Sequence, residues 1–297
     1  MSQPTSQRDP KNIEKQPPFQ KEREQPHPGH ESKMLTKPDF GEDSYKGLGR
    51  LTGRVALVTG ADSGIGRAVA LAYAREGADV AIAYLQEHDD AKETQRVVEA
   101  AGRRAILIAA DLADAKECAR VIDETVKAFG RIDILVNNAA YQGKAVDSFE
   151  QIDPARIERA FRVNVIAMFH LVRSALPHMK EGSAIINTAS IQAYHPSGAI
   201  LDYAATKGAI VTFTKGLAEE TIKRGIRANV VAPGPVWTPI IVQSFDQEKI
   251  ESFGKSYPMG RPAQPVEVAP AFVFLASNES LYVNGEVLGV TGGKPLA

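Results

Sequence analysis

A tyrosine and a lysine stand four residues apart at Tyr203 and Lys207, in a stretch that reads LDYAATKGAI from residue 201. On a helix this spacing places both side chains on one face, so the lysine ammonium can stabilise a phenolate. A phenol needs such help, because a pKa of about 10 makes it a poor acid–base catalyst at neutral pH. Ser190 follows an apolar run that predicts a buried strand, and can present its hydroxyl to the oxygen that Tyr203 protonates. Tyrosine and lysine at this spacing are also common on exposed helix faces, so the interpretation depends on the rest of the chain.

Composition and charge exclude several classes of function. The chain has 297 residues, of which 43% are hydrophobic and 24% charged, enough for one large α/β domain or two small ones. The formal net charge of −1 gives no reason to expect nucleic acid or an anionic membrane surface as a partner. We find no signal sequence and no run near the roughly 18 apolar residues of a membrane span, so we expect a soluble, cytoplasmic protein.

Cysteine and histidine usage predicts no metal site. Cys118 is the single cysteine, so it has no partner for an intramolecular disulfide, and we interpret it as a small buried hydrophobic residue. The six histidines show no metal-ligand spacing. Among them, His195 is interpreted as a substrate-pocket or surface residue.

Residues 1–48 differ in composition from the rest of the chain. The segment is rich in Pro, Gln, Lys and Glu. Its few apolar residues are isolated, namely Ile13, Phe19, Met34, Leu35, Phe40 and Tyr45. Such residues cannot by themselves offset the entropy cost of ordering the segment. We therefore predict an extended N-terminal arm over residues 1–48, either disordered or laid across the folded body, followed by one domain over residues 49–297.

From residue 54 the sequence alternates between short apolar runs and stretches of helical periodicity. The runs cover 55–60, 80–85, 105–110, 134–139, 184–189, 228–233 and 286–290, and the helical stretches include 67–76, 91–101, 115–129, 154–179 and 202–224. Strands that are apolar on both faces and alternate with helices indicate a parallel sheet covered on both sides. We predict a single doubly wound, Rossmann-type α/β domain with a seven-stranded parallel sheet and ligands at the strands' carboxyl ends. Such a domain need not bind a dinucleotide.

A glycine-rich turn follows the first strand and predicts a phosphate site. Gly60 permits the tight turn, Gly64 lets the backbone approach a pyrophosphate, and Gly66 lets the helix pack close to the strand. The helix N-terminus then offers amide N–H groups to the phosphates. The predicted cofactor contacts of this turn are Gly60, Asp62, Ser63, Gly64, Ile65 and Gly66.

The end of the second strand bears on which dinucleotide binds. Tyr84 and Leu85 stand where an acidic residue would accept hydrogen bonds from the ribose 2′-hydroxyl of NAD, and neither is a carboxylate. The space could admit a 2′-phosphate, yet no arginine stands at position 63 or 85 to hold one. NADP or NAD remains open, with a slight preference for NADP.

Further candidates follow the third and fourth strands. Asp111 and Leu112 can flank an adenine, although Asp111 can equally be a helix cap. The segment Asn137 to Ala140 ends the fourth strand, and its small residues leave space for a ring. Its predicted cofactor contacts are Asn138, Ala139 and Ala140. Asn164 lies inside a predicted helix, where it either serves a solvated proton path or bonds only the backbone.

The turn after the sixth strand reads PGPVWT from residue 233. Its prolines and glycine hold one shape, and Thr238 can bond a nicotinamide carboxamide. The predicted contacts of this turn are Pro233, Gly234, Val236 and Thr238. Trp237 is interpreted as a packing residue or a wall of the substrate pocket. An apolar wall from Ile191, Trp237 and Ile240 would suit a small aldehyde or ketone, and a polyol is not excluded.

Together these motifs resemble the tyrosine-dependent short-chain dehydrogenases/reductases over about residues 50–297. The resemblance rests on motifs that occur in order: TGADSGIG, DL at 111–112, NNAA at 137–140, Asn164, Ser190, YAATK at 203–207 and PGPVWT. Ala140 stands where the family has a glycine. The pieces QPHPG, KPDFGEDSYKGLGRL and IQAYHPS are similar to a subgroup of bacterial general-stress oxidoreductases and plant glucose/ribitol dehydrogenase-like proteins.

The resemblance implies reversible hydride transfer between NAD(P) and a small carbonyl or alcohol (an aldehyde, ketone or sugar), usually in a homotetramer. It implies that Tyr203 is the general acid and base, and that Lys207 lowers its pKa and bonds the nicotinamide ribose. It further implies that Ser190 orients the substrate oxygen and that Asn164 holds a water linking Lys207 to solvent. The alternative is a stress-related NAD(P)-binding sensor or scaffold with little catalysis.

Overall fold

Seven parallel strands form one sheet in the computed structural model, which describes residues 9–13 and 16–296. The sheet order is β3-β2-β1-β4-β5-β6-β7. The strands are β1 Val55–Thr59, β2 Asp79–Tyr84, β3 Ala105–Ala109, β4 Ile134–Asn137, β5 Ala184–Thr188, β6 Arg227–Pro233 and β7 Val287–Val290. The predicted seven-stranded parallel sheet is thus confirmed. The order reverses between β1 and β4, so the carboxyl ends of these strands diverge and open a crevice there.

Helices cover both faces of the sheet. They are α1 Gly64–Arg75, α2 His88–Ala100, α3 Ala115–Phe129, α4 Pro154–Phe161, α5 Ala167–Ala175, α6 Leu201–Thr221, α7 Pro239–Ser244, α8 Gln247–Glu251 and α9 Pro265–Ala276. One apolar core joins α1, α2 and α9 to the sheet, and a second joins α3, α5 and α6 to it. Strands β1, β2, β4, β5 and β6 are buried at every residue, because both their faces are covered. Across the described ranges, no helix combines the length and apolar character needed to cross a bilayer.

The predicted helix over residues 154–179 is interrupted. Helix α4 ends at Phe161, a π-helical turn covers Arg162–Ile166, and α5 continues from Ala167. A π turn inserts an extra residue into the helical ladder and is frequent at functional sites. Asn164 is fully buried within this turn. The π turn changes only the local hydrogen bonding, so the periodicity of apolar residues in the sequence could not predict it.

Helices α7 and α8 lie in a stretch for which the sequence pattern predicts no helix. Helix α7 has Pro239 in its first turn, which suits a helix start because proline lacks the N–H that would be unpaired there. Helix α8 is capped by Asp246, whose side chain accepts from the Lys249 amide at 2.8 Å. Both are too short to show a helical period.

The described part of the N-terminal arm lies against the folded body. Residues 1–8, 14 and 15 of the predicted arm are outside the described residues, as is residue 297 of the predicted domain. Phe19 and Met34 are 3% and 2% exposed and pack with Trp237 and α7. The Phe19 ring stacks on Trp237 with the ring centroids 3.8 Å apart. The arm therefore buries Phe19 and Met34 against other parts of the chain, whereas Leu35 is 65% exposed.

Candidate active site

Helix α6 carries both Tyr203 and Lys207 toward the carboxyl edge of the sheet. Lys207 is 1% exposed, and its Nζ donates to the carbonyl oxygen of Thr188 at 2.8 Å. The same Nζ lies 5.2 Å from the centroid of the Tyr203 ring. The hydrogen bond fixes the lysine to the end of β5, so the ammonium group is held close to the tyrosine ring.

Ser190 stands two residues beyond β5, at the start of a single 3₁₀ turn. Its hydroxyl hydrogen-bonds the Tyr203 phenol, and its Oγ accepts from the Gln192 amide at 3.1 Å. The structure thus brings together the serine and tyrosine that are thirteen residues apart in sequence. A carbonyl oxygen placed between the two hydroxyls could receive hydrogen bonds from both.

Burial is the main cause of the pKa shifts of Tyr203 and Lys207. It raises the pKa of Tyr203 to about 12, and the hydrogen bond from Ser190 opposes that shift. It lowers the pKa of Lys207 to about 7. Burial disfavours the charged form of each group, whereas a positive charge beside the phenol would lower the tyrosine pKa.

Asn164 connects the π turn to the end of β4 and to α6. Its amide nitrogen donates to the Tyr141 carbonyl at 2.9 Å and to Thr206 Oγ1 at 3.0 Å. Its side-chain oxygen accepts from the Tyr141 amide at 2.7 Å. Asn164 therefore bonds the Thr206 hydroxyl as well as backbone. Thr206 in turn donates to the Tyr203 carbonyl at 2.6 Å, so Asn164 supports the turn of helix that carries the tyrosine.

The glycine turn has the geometry of a phosphate cradle. Gly60 and Gly64 have φ angles of +62° and +52°, in a backbone region that residues with a side chain rarely adopt. A Cβ on Gly66 would lie 2.0 Å from the Gly60 carbonyl oxygen. The Asn138 side chain donates to the carbonyls of Thr59 and Gly60 at 3.0 and 3.1 Å and so ties the turn to the end of β4. The turn and the start of α1 line the crevice, where a helix N-terminus favours an anionic group, and the Gly64 amide itself donates to the Glu31 carboxylate at 2.7 Å.

We expect Gly66→Ala to abolish dinucleotide binding and to destabilise the protein by several kcal/mol, since its Cβ would collide with fixed backbone. Gly216→Ala is the matched control, because a Cβ there meets nothing within 4 Å and alanine favours a helix. Urea unfolding and nucleotide titration of both variants test this expectation. Normal binding by Gly66→Ala would contradict the close approach of α1 to the turn.

Two carboxylates line the crevice close to the glycine turn and the end of β2. Tyr84 and Leu85 bear no acid, but Asp62 from the glycine turn and Glu87 beyond β2 both line the crevice. Burial, and next the charge of Glu87, raises the pKa of Asp62 to about 7. Sequence analysis did not single out Glu87. Its position at the N-cap of α2, shortly after β2, was the available signal.

Asp111 pairs with an arginine that sequence analysis also missed. Its carboxylate accepts from Arg159 Nη1 at 2.8 and 2.9 Å and from the Ala113 amide at 3.0 Å. The cap of α3 is Asp114, which accepts from the Lys116 amide at 2.8 Å. Asp111 therefore contacts the crevice and holds Arg159 beside it.

Most sequence-predicted site residues line one crevice of about 380 Å³. Gly66 and Asn164 lie behind its wall. Trp237 is fully buried against the arm and does not line the crevice. His195 also lies outside the crevice lining, at a partly exposed position where its ring hydrogen-bonds the Pro295 carbonyl. The predicted residues that line the crevice are Gly60, Asp62, Ser63, Gly64, Ile65, Tyr84, Leu85, Asp111, Leu112, Asn138, Ala139, Ala140, Ser190, Tyr203, Lys207, Pro233, Gly234, Val236 and Thr238.

Comparisons with known proteins bear on this geometry. A family model described as Enoyl-(Acyl carrier protein) reductase matches residues 60–294. The chain is 50% identical to NADPH-dependent aldehyde reductase 1, chloroplastic, of Arabidopsis thaliana, over 92% of this chain and 97% of that one. It is 48% identical to General stress protein 39 of Bacillus subtilis, over 95% and 98%. A solved short chain dehydrogenase from Burkholderia cenocepacia in complex with NADP matches with a TM-score of 0.77 and 36% identity, over 82% of this chain and 98% of that one.

Proposed function

Because the chain belongs to the short-chain dehydrogenase/reductase family of oxidoreductases, we propose that it transfers a hydride between a nicotinamide dinucleotide and a small carbonyl or alcohol substrate. The observation that carries the proposal is the hydrogen bond between Ser190 and Tyr203, with the Lys207 ammonium 5.2 Å from the tyrosine ring. These residues share one crevice with the glycine turn, so a dinucleotide and a substrate oxygen can meet there.

A bound dinucleotide would supply the hydride in reduction and accept it in oxidation, and the chain moves the proton and positions the substrate. In reduction, Tyr203 donates its hydroxyl proton to the carbonyl oxygen, and in oxidation the phenolate removes a proton from the alcohol. Ser190 donates a hydrogen bond to the same oxygen and orients it. Lys207 lowers the tyrosine pKa when protonated and bonds the nicotinamide ribose, while Asn164 holds a water that links Lys207 to solvent.

The cofactor would occupy the crevice along the glycine turn. Gly60 and the amides at the start of α1 that Glu31 does not occupy would hold the phosphates, and Thr238 would hold the nicotinamide amide. We favour NADP slightly, since an NADPH-dependent relative and a solved NADP complex are among the matches. The carboxylates of Asp62 and Glu87 oppose that preference, because they would repel a 2′-phosphate. Parallel titration with NADH and NADPH decides between them, and binding of neither would refute the proposed function.

A sensor or scaffold that binds the dinucleotide without catalysis is the competing proposal. A steady-state assay with aldehydes, ketones and sugars separates the two, because only the enzyme turns over. The crevice holds both the apolar Ile191 and Ile240 and the polar Gln142 and Gln192, so the panel includes plain and hydroxylated aldehydes.

Ser190→Ala is expected to lower kcat/KM by about 10²-fold, because it removes one donor to the substrate oxygen. Ser252→Ala is the control, since that hydroxyl bonds the Glu248 carbonyl on the exposed side of α8. Dinucleotide affinity should stay unchanged in both variants. Full activity of Ser190→Ala would remove the serine from the mechanism.

We also propose, from the resemblance, that the enzyme is a cytoplasmic homotetramer. Light scattering of the purified protein measures the mass of the assembly. A monomer of 32.0 kDa in solution would refute the tetramer.

A further inference from the structure

Residues 27–31 of the arm cross the crevice, and we call this segment the arm strap. His27, Pro28 and Gly29 line the crevice together with the glycine turn. The family model begins only at residue 60. The match to the solved structure from Burkholderia cenocepacia spans 98% of that chain but only 82% of this one. The strap therefore lies outside the segment that the family model matches, whereas the relative from Bacillus subtilis, aligned over 95% of this chain, includes it.

One end of the strap is anchored on the first turn of α1. Glu31 is buried, and its carboxylate accepts from the Gly64 amide at 2.7 Å and pairs with Arg67. The amides of Glu31 and Ser32 both donate to the Asp90 carboxylate at 2.8 Å. Arg67 also donates to the Asp90 carbonyl at 2.9 Å, so α1, α2 and the strap share one buried network. If the strap left, Arg67 would lose the Glu31 carboxylate and Asp90 would lose the two strap amides, which favours the docked position.

The other end of the strap lies on α7 and on the loop after β4. The Gly29 amide donates to Gln243 Oε1 at 2.6 Å, and His27 also hydrogen-bonds the Gln243 side chain. A Cβ on Gly29 would lie 2.6 Å from the Pro239 carbonyl oxygen, so only glycine lets the strap approach α7 this closely. The His27 ring stands edge-on to the Tyr141 ring, with the centroids 5.1 Å apart.

These anchors hold His27 in the lining of the crevice. The imidazole is close enough to Arg159 and Glu87, which both line the crevice, to feel their charges, and it contacts Tyr141, whose backbone hydrogen-bonds the Asn164 side chain. A dinucleotide that runs from Glu87 to Tyr203 has its diphosphate and ribose groups between these two points. An imidazole N–H is a hydrogen-bond donor suited to phosphate and ribose oxygens.

We propose that the arm strap is a binding element of the dinucleotide site, in which the His27 imidazole contacts the bound dinucleotide and Glu31 is a positioning residue that holds the strap on α1. The proposal rests on the proposed function, because it requires that the crevice bind a pyridine dinucleotide. The dinucleotide then lies between the glycine turn and the strap, and its release requires the strap to move.

The test measures the affinity and dissociation rate of the dinucleotide on full-length protein, with whichever of NADH and NADPH the wild type binds. We expect His27→Ala and Glu31→Gln each to raise Kd by about 10-fold, mainly through faster dissociation. Glu24→Gln is the matched control, because it makes the same change on the same arm at an exposed carboxylate paired with Lys144. Its Kd should stay within two-fold of the wild-type value. Wild-type affinity and dissociation in both strap variants would overturn the proposal.

Hydrogen exchange on the unmodified full-length protein provides a second measurement, in case Glu31→Gln does not fold. Saturating dinucleotide should slow exchange at the strap amides of Gly29, Glu31 and the adjoining Ser32, whose hydrogen bonds hold the strap in place. Equal exchange with and without dinucleotide would overturn the proposal. If the wild type binds and turns over while the strap variants match it, the strap proposal alone fails. If the wild type binds neither dinucleotide, the proposed function fails as well.

Discussion

Tyr203→Phe is expected to lower kcat by about 10³-fold or more, because it deletes the proposed general acid and base while keeping the ring. The ring lies 5.2 Å from Lys207 Nζ, and phenylalanine preserves that contact. Dinucleotide affinity should therefore stay within about two-fold of the wild-type value. A large loss in kcat with unchanged Kd would separate the proton-transfer step from binding.

The control for this variant is Tyr194→Phe, which removes a phenol hydroxyl on the turn after Ser190 that does not line the crevice. Steady-state kinetics of both variants, with the best substrate from the aldehyde, ketone and sugar panel, provide the measurement. Near wild-type turnover by Tyr203→Phe would end the proposed mechanism. Equal losses in both variants would show that the effect is structural.

Arg156→Met is expected to lower the free energy of unfolding by about 3–5 kcal/mol, because it leaves the buried Asp202 carboxylate without its partner. Arg156 Nε and Nη2 each donate to Asp202 at 2.8 Å, and the two side chains are 8% and 0% exposed. Arg156 also donates to the Lys144 carbonyl at 2.5 Å. Asp202 immediately precedes Tyr203, so the pair joins α4 to the first turn of α6.

The double variant Arg156→Met/Asp202→Leu distinguishes an unpaired charge from lost packing. Removing both charges should recover most of the lost stability, since apolar replacements of buried pairs are often neutral. Lys223→Met is the control at an exposed pair, where 66% and 71% of the side chains are accessible, and it should change stability by less than about 0.5 kcal/mol. Urea unfolding at pH 7 measures all three variants. A loss below about 1 kcal/mol in Arg156→Met would contradict a tightly coupled pair.

The sheet could be predicted from sequence because its signals are local. Each strand is a short apolar run, and the glycine turn joins the first of these runs directly to α1. The pairs Tyr203–Lys207 and Gly60–Gly64 are likewise close in sequence. Local spacing therefore predicted which side chains come close together, while the order of the motifs along the whole chain was needed to interpret them as a site.

The remaining features depend on contacts between residues that are distant in sequence. Glu31 bonds Gly64 and Arg67, and Phe19 stacks on Trp237. The composition of the arm indicates only that it cannot order itself, not that the body offers it a surface. The carboxylate of Glu87 and the π turn around Asn164 were missed for a related reason, since neither alters the apolar pattern.

The stacking of Phe19 on Trp237 gives the protein an internal optical reporter. Trp237 is the single tryptophan of the chain, so all indole emission comes from one position. Its ring is fully buried, stacks on an arm residue, and donates from Nε1 to the Thr36 carbonyl at 2.8 Å. Detachment of this part of the arm would expose the indole to water and shift its emission to longer wavelength. Intrinsic fluorescence therefore follows the docking of the arm in the unlabelled protein.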